Sequence, residues 1–478
     1  MAPLAEVRLG TRPLGRYVPV IGEERMRELL TAAEALRARM SGRVLWNVNS
    51  TAVGGGVAEL LRSLLGYSRS AGIDARWAVI RAEPEFFHLT KQLHHFLHGS
   101  AGDGSSLGAR ERKTYEDTLH ANALEFAAQV RAGDIVLLHD PQTLGLAPSV
   151  MAAGASVIWR CHIGADIRNE WVEAGWRFLE PYLQDVPAFV FSRSGYVPPT
   201  CDHGRSHIIQ PSVDAFSPKN QDMDANRVRT ILVHVGLVEG PLPEHPDYGF
   251  RREDGTPGRV VCEADVTRHG RAPAYSTPLV VQISRWDPLK DPIGVMRGFE
   301  LLVDGTAPAN AELVLAGPNV RAVADDPEGA AVFEQVCAAW RELPHALRSR
   351  IHLASLPTQD VEENGAIVNA LQRHAAVVVQ KSLFEGFGLT VTEAMWKARP
   401  IVASAVGGIQ DQIENGEHGL LLKDPRDSGA FAGALRELLE KPERAARLGA
   451  AARERVRERF LGVRQLLDYA RLIERLDL

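Results

Sequence analysis

Short runs of β-branched and apolar residues recur along the chain, each separated from the next by a stretch with helical spacing. In the first half the runs are VLWNVNS (44–50), ARWAVIR (75–81), DIVLLHD (134–140), SVIWRCH (156–162), AFVFSR (188–193) and HIIQPSV (207–213). In the second half they are PLVVQISR (278–285), AELVLAG (311–317), IHLASL (351–356), AAVVVQKS (375–382), PIVASAVGG (400–408) and GLLLKD (419–424). None alternates cleanly between apolar and polar positions, which is the pattern of strands covered on both faces. Segments such as GVAELLRSLLGYSRSAG and NGAIVNALQRHA lie between them with helical periodicity. Strand-helix alternation on this scale predicts two α/β domains built on parallel sheets.

The pattern breaks at QPSVDAFSPKNQDMDAN (210–226), where Pro, Ser, Asp and Asn interrupt it. The expected domains are therefore 1–215 and 216–455. A second irregular stretch, EGPLPEHPDYGFRREDGTPGR (239–259), reads as a surface insertion at the start of the second domain. From about Ser428 to Leu478 the chain is helical and laced with Arg and Glu. Two such domains predict a cleft between them, and ligands bind at the carboxyl ends of parallel strands. Residues at strand ends therefore carry the functional question.

Composition narrows the class. The 478 residues are 45% hydrophobic and 24% charged, enough apolar material for two cores. The net charge of -6 is spread along the chain, with no basic block of the kind that binds nucleic acid. No run reaches the ~20 apolar residues of a membrane helix. Cys161, Cys201, Cys262 and Cys337 stand far apart, which favours a reduced protein over a disulfide framework or a zinc knuckle. The opening MAPLAEVRLG lacks the layout of a secretory leader, so the expected location is the cytoplasm.

The stretch FEGFGLTVTEAM (384–395) places Glu385 and Glu393 either side of a Gly-Phe-Gly turn. The preceding VVVQKS reads as a strand and the following LTVTEAMWKA as a helix. Gly386 and Gly388 let backbone approach a ligand, and the N–H groups opening the helix would face an anion such as phosphate. One carboxylate would then hold sugar hydroxyls and the other a second polyol; the plain alternative is two ordinary helix-start glutamates. In ISRWDPLKDP (283–292), Arg285 and Lys290 follow a strand, where two cations could hold a diphosphate or simply be solvated. NSTAVGGGVAELL (49–61) runs from strand through three glycines into a helix, but matches neither a dinucleotide fingerprint nor a P-loop.

His139, Asp140 and His162 end strands of the first domain, where they could reach sugar hydroxyls or carry protons, or serve only structure. Other arrangements are decoys. His94 and His98 have helical spacing without the Glu and third ligand of a zinc helix, and the D-x-D at Asp222 and Asp224 sits in the linker.

Together, WNVNSTAVGGGVAELL, WRCHI, QPSVD and QKSLFEGFGLTVTEAMWKARPIVASAVGGIQDQI resemble retaining glycosyltransferases of family 4. The hallmark is a Glu, seven residues, then a Glu, as Glu385 and Glu393 stand here. Within that family they resemble the trehalose glycosyltransferring synthases and the retaining trehalose phosphorylases, from about Trp46 to Ile413. The resemblance implies the GT-B fold: two Rossmann-like domains, an interdomain cleft, and a C-terminal helix (456–478) crossing back to the first domain. It implies that Arg285 and Lys290 bind the donor diphosphate. Glu385, with the backbone of Gly386, Phe387 and Gly388, would hold the donor sugar. Leu389 and Thr390 would lie over the phosphates, and Glu393 would hold the ribose. Gly55 and Gly56 would close over the reacting centre, and His162 would contact a sugar hydroxyl. Asn49, His139 and Asp140 are the candidates on the acceptor side.

The implied reaction moves glucose from a nucleotide-glucose (UDP-, ADP- or GDP-glucose) to glucose or a related sugar or polyol. The product is an α-glucoside such as trehalose, formed by front-face displacement without a protein nucleophile, metal or cofactor. The partners are small molecules; a homodimer stays open, and neither nucleic acid nor membrane is expected. A phosphate-dependent trehalose phosphorylase, a secondary-metabolite glycosyltransferase with an unusual acceptor and a non-catalytic nucleotide-sugar-binding protein are the other readings. Two departures bear on the acceptor. Gly164 stands where the subgroup usually has an acidic residue, and the 239–276 insertion is expected to lengthen the entrance of the second domain.

Overall fold

The computed structural model describes residues 4–52, 56–304, 310–320 and 327–476. The chain divides into two compact units, Met1–Ser212 with Phe460–Leu478, and Val213–Arg459.

The first unit holds strands β1 (Ala5–Glu6), β2 (Leu45–Asn49), β3 (Ala75–Val79), β4 (Ile135–His139), β5 (Ser156–Cys161), β6 (Ala188–Phe191) and β7 (Ser206–Ile208). They form one sheet in the order β1-β3-β2-β4-β5-β6-β7, with every pair parallel except β1 on β3. Alternate residues of the apolar runs serve opposite faces. Trp46, Val48, Val136 and Leu138 join one buried cluster, and Leu45, Ile135 and Leu137 join another. The second cluster is completed by Leu472 and Ile473 of the helix Gly462–Arg475, the segment that returns to this unit. Asn47 and His139 fall in the register of that same face, polar groups where the alternation calls for apolar ones.

The second unit repeats the plan. Its strands are β8 (Gly249–Arg251), β9 (Pro257–Arg259), β10 (Asp265–Thr267), β11 (Leu279–Ile283), β12 (Glu312–Pro318), β13 (Ile351–Leu356), β14 (Val377–Gln380), β15 (Ile401–Ser404) and β16 (Leu420–Leu422). The main sheet runs β10-β13-β12-β11-β14-β15-β16, parallel except for β10 on β13. Apart from the antiparallel edge strands β1 and β10, the chain in each sheet starts centrally, proceeds to one side, then returns to the other. The strand order thus reverses between β2 and β4 in the first unit and between β11 and β14 in the second. Ligands of open α/β sheets bind outside the carboxyl ends of strands at such a switch point.

Each run quoted from the sequence overlaps a strand. The insertion carries secondary structure of its own. Its Asp254-Gly255 turn closes the β8–β9 hairpin, with Gly255 at φ 89°, and β10 takes the sheet edge beyond β13. Arg252 bonds Asp360 and Glu362, and Glu363 accepts from the N–H groups of Val261 and Cys262 at 2.7 Å each. These contacts pin the insertion to the start of the helix Val361–His374. Its strand β10 forms the edge of the sheet, with β13 and β12 between it and β11.

Candidate active site

At the switch point of the second unit, two loops leave β11 and β14 and are laced together. Gln282, 1% exposed, donates from Nε2 to Lys290 O at 3.0 Å and accepts from Lys381 N–H at 3.3 Å. Leu383 N–H donates to Leu289 O at 2.8 Å. The buried Lys381 pairs with Asp291, which adopts a left-handed φ of 49° and caps the helix Pro292–Val303 through Gly294 N–H. Asp287 caps the short turn Pro288–Lys290 by accepting from Leu289 N–H at 2.8 Å.

This lacing delivers Lys290 to Glu385. The Nζ lies 2.8 Å from Oε1 and 2.7 Å from Oε2, with both side chains largely buried. Glu385 Oε2 also accepts from Ser382 Oγ at 3.0 Å and lies 3.4 Å from Gln380 Nε2. Gln380 Oε1 is buried without a hydrogen-bond partner among the described residues. Arg285 is placed differently: its guanidinium is 69% exposed and bonds Asp287 at 3.1 Å.

Beyond Glu385 the chain turns through Gly386, Phe387 and Gly388 into the helix Leu389–Trp396, with Thr390 in its first turn. Gly388 has a φ of 85°, the left-handed conformation a side chain resists. Gly408 N–H donates to Gly386 O at 3.0 Å, and a Cβ at Gly408 would come within 2.7 Å of Phe387 Cα. The second glutamate, Glu393, is buried on this helix, with Lys219 Nζ 3.6 Å away. One turn on, Lys397 Nζ donates to Glu393 O at 3.1 Å and Asn220 Oδ1 at 2.9 Å. Burial holds the Lys397 ammonium well below the usual lysine range despite the opposing pull of Glu393.

In the first unit, His139 and His162 meet at the ends of β4 and β5. His139 Nε2 lies 2.9 Å from Asn47 Oδ1, and its Nδ1 lies 3.2 Å from His162 Nε2. Burial drives His139 down to about 3 and His162 well below the usual histidine range, with the Arg160 guanidinium adding to both. Both rings are therefore neutral near pH 7, suited to hydrogen bonding and not to carrying a resting charge. Since Asn47 Oδ1 can only accept, His139 donates from Nε2 and accepts at Nδ1 from His162 Nε2–H. That leaves His162 Nδ1 as an acceptor.

Asp140 has a φ of 62° and ψ of 173°, a conformation that costs a non-glycine residue about 1–3 kcal/mol. Its Oδ1 accepts from His162 N–H at 2.7 Å, and burial pushes its carboxyl up to about 7. Asn49 is committed internally, accepting from Trp77 Nε1 and donating to Thr51 O at 2.8 Å each. Gly56 opens the helix Gly56–Ser70, while Gly55 lies outside the described residues. Gly164 has a steric explanation, because a Cβ there would lie 2.1 Å from Tyr196 Cγ.

The decoys have local uses. Asp224 caps the helix Ala225–His234, and Asp222 accepts from Arg373 at 3.1 Å. His94 and His98 pack ring on ring at 4.5 Å. Among the described residues, Glu414, Glu417 and His418 have ligand atoms close enough to share a metal ion, but Arg455 already lies 3.4 Å from Glu414 Oε2. No helix among the described residues is long and apolar enough to cross a membrane.

Sequence reasoning missed Gln282, Gln380, Lys381, Asp291 and Lys219. A sequence signal existed for Gln282, Gln380 and Lys381, which are polar residues at the ends of otherwise apolar strands. Lys219 had none, since its partner is far along the chain.

Two reversed-order parallel sheets, with polar groups gathered at their switch points, define a GT-B glycosyltransferase. The fold matches an alpha,alpha-trehalose-phosphate synthase (UDP-forming) from Burkholderia xenovorans, with a TM-score of 0.66 and 16% identity over 91% of this chain and all of that one. It matches the sucrose-phosphate synthase of Thermosynechococcus elongatus with a TM-score of 0.62 and 18% identity, over 91% of this chain and 99% of that one. In sequence, residues 47–198 match the family described as "Trehalose synthase, N-terminal domain", and residues 356–455 match "Glycosyl transferases group 1". The chain is 34% identical to the trehalose synthase of Rubrobacter xylanophilus over 99% of both proteins. It is 32% identical to that of Pyrococcus horikoshii over 100% of this chain and 99% of the relative. A trehalose phosphorylase of Pleurotus sajor-caju is 26% identical over 80% of this chain and 51% of its own length. The chain belongs to the trehalose synthase family of glycosyltransferases.

Proposed function

We propose that the protein is a retaining glucosyltransferase that moves glucose from a nucleotide-glucose donor to glucose or a related polyol, forming an α-glucoside such as trehalose. The observation that carries this reading is Lys290 held on Glu385 beside the Gly386–Leu389 turn, at the switch point of one sheet. A cation beside turn amides suits a diphosphate, and a carboxylate next to it suits sugar hydroxyls. In this reading the bond from the anomeric carbon to the leaving phosphate breaks as the acceptor oxygen bonds to the same face. The acceptor's proton passes to the phosphate oxygen. Lys290, Arg285 and the turn amides of Leu389 and Thr390 stabilise the departing negative charge. Glu385 holds the sugar, Glu393 the ribose, and His162 accepts from a sugar hydroxyl through Nδ1. Asn49, His139 and Asp140 act by positioning: Asn49 ties the end of its strand to Thr51 and Trp77, and the other two fix the His162 ring and backbone.

The test is nucleoside diphosphate release from UDP-, ADP-, GDP- and dTDP-glucose, with and without glucose. Glucose-dependent release from one donor is expected. A phosphorylase is the second reading, favoured by the similarity to the Pleurotus enzyme. It predicts no release from any donor, and trehalose consumption only when phosphate is added.

A further inference from the structure

Gln412 ends the short helix Ile409–Gln412 and is completely buried. Its Nε2 donates to Phe387 O and, at 3.3 Å, to Gly388 O. Its Oε1 accepts from Thr392 Oγ1, also fully buried, at 2.7 Å. The carboxamide orientation is fixed by these partners, since reversing it would set an oxygen against two carbonyls. With Gly386 O taken by Gly408 N–H, three successive carbonyls, those of Gly386, Phe387 and Gly388, accept from the segment 408–412, and Gly388 O also accepts from Val391 N–H at 2.9 Å as the helix begins.

A trans planar peptide points its C=O and the following N–H in opposite directions. Binding those carbonyls to that segment therefore turns the following N–H groups, those of Phe387, Gly388 and Leu389, away from it. There they join the start of the helix Leu389–Trp396, an arrangement of amides that favours an anion. We propose that Gln412 is a positioning residue that holds this turn so that its amides meet the donor's phosphate groups. The inference rests on the donor reading above. It assigns the affinity for the diphosphate to a side chain that touches no ligand and acts through two carbonyls.

The experiment is calorimetric binding of UDP, ADP, GDP and dTDP to the full chain and to Gln412→Glu and Thr392→Val, with steady-state kinetics on the nucleotide found to bind. Glutamate keeps the shape of Gln412 but sets a carboxylate against the two carbonyls. It is expected to weaken nucleoside diphosphate binding and raise the donor KM by roughly ten- to a hundredfold, leaving the acceptor KM within about twofold. Lowering the pH protonates the introduced carboxyl, restores a donor and recovers part of the loss, which the wild type does not show. Thr392→Val leaves Nε2 in place and is expected to give a smaller change in the same direction. It keeps the test open if Gln412→Glu does not fold. Unchanged nucleotide binding in the folded variants overturns the inference. Equal losses of donor and acceptor affinity also overturn it, since they mean general loosening. If the wild type binds no nucleoside diphosphate, the donor reading fails and the inference falls with it; an intact wild type with indifferent variants sinks the inference alone.

Discussion

Lys290 Nζ sits within 2.8 Å of both carboxylate oxygens of Glu385, a residue 95 positions along the chain. Each residue follows a different strand, and the two strands are neighbours only because the sheet order reverses between them. The pair is largely buried, so removing one partner strands the other's charge. Lys290→Ala and Glu385→Gln are each expected to lower turnover by about a hundred- to a thousandfold with the far-ultraviolet circular dichroism unchanged. Near-normal turnover in both would place the reaction elsewhere.

Lys219 lies 3.6 Å from Glu393 and reaches it from the boundary stretch at 210–226. Lys219→Ala is expected to remove one cation from buried Glu393 and to raise the donor KM by about tenfold, with a smaller effect on kcat. A change confined to kcat would contradict a ground-state role in holding the donor.

Restoring the acidic residue at position 164 should fail sterically. Any side chain there meets the Tyr196 ring, so Gly164→Asp is expected to cost about 1–3 kcal/mol, read as a lower urea midpoint. Adding Tyr196→Ala should recover much of that loss. If Gly164→Asp alone is neutral, the loop after His162 adapts more freely than the packing indicates.

Asp140 and His139 titrate in opposite senses. Asp140's folded value, about 7, lies above its ordinary 3.8, so the folded protein holds more protons across that window. Its contribution to stability therefore falls as pH rises through it. His139's folded value, about 3, lies below its ordinary 6.5. Its contribution is full above that ordinary value and is lost as pH falls, and His162 shares this sense. In the wild type the two effects offset. Asp140→Asn still accepts from His162 N–H but no longer titrates, so its denaturation midpoint should rise more steeply between pH 5 and pH 7 than the wild type's. Equal slopes would mean that Asp140 ionises in its ordinary range.

The long strands were legible because burial on both faces demands unbroken β-branched runs, as in VVVQ before Glu385. The β8–β9 hairpin was obscured because its polar residues face water, although Asp254-Gly255 marked its turn. Lys290 and Glu385 were legible by position, each following a strand. Lys219 was not, because its meaning depends on Glu393, far along the chain.

The sequence alone determined the two-sheet plan, the Gly-Phe-Gly turn and the two glutamates, because periodicity, glycine and charge act over a few residues. Tertiary structure decided which groups meet. It set Lys290 on Glu385 and turned Arg285 toward Asp287 and solvent. It fixed the His139–His162 contact and wedged Tyr196 against Gly164. It also set strand β10 of the insertion at a sheet edge. These are relations between segments far apart in the chain, fixed by strand order and packing, and no local pattern encodes them.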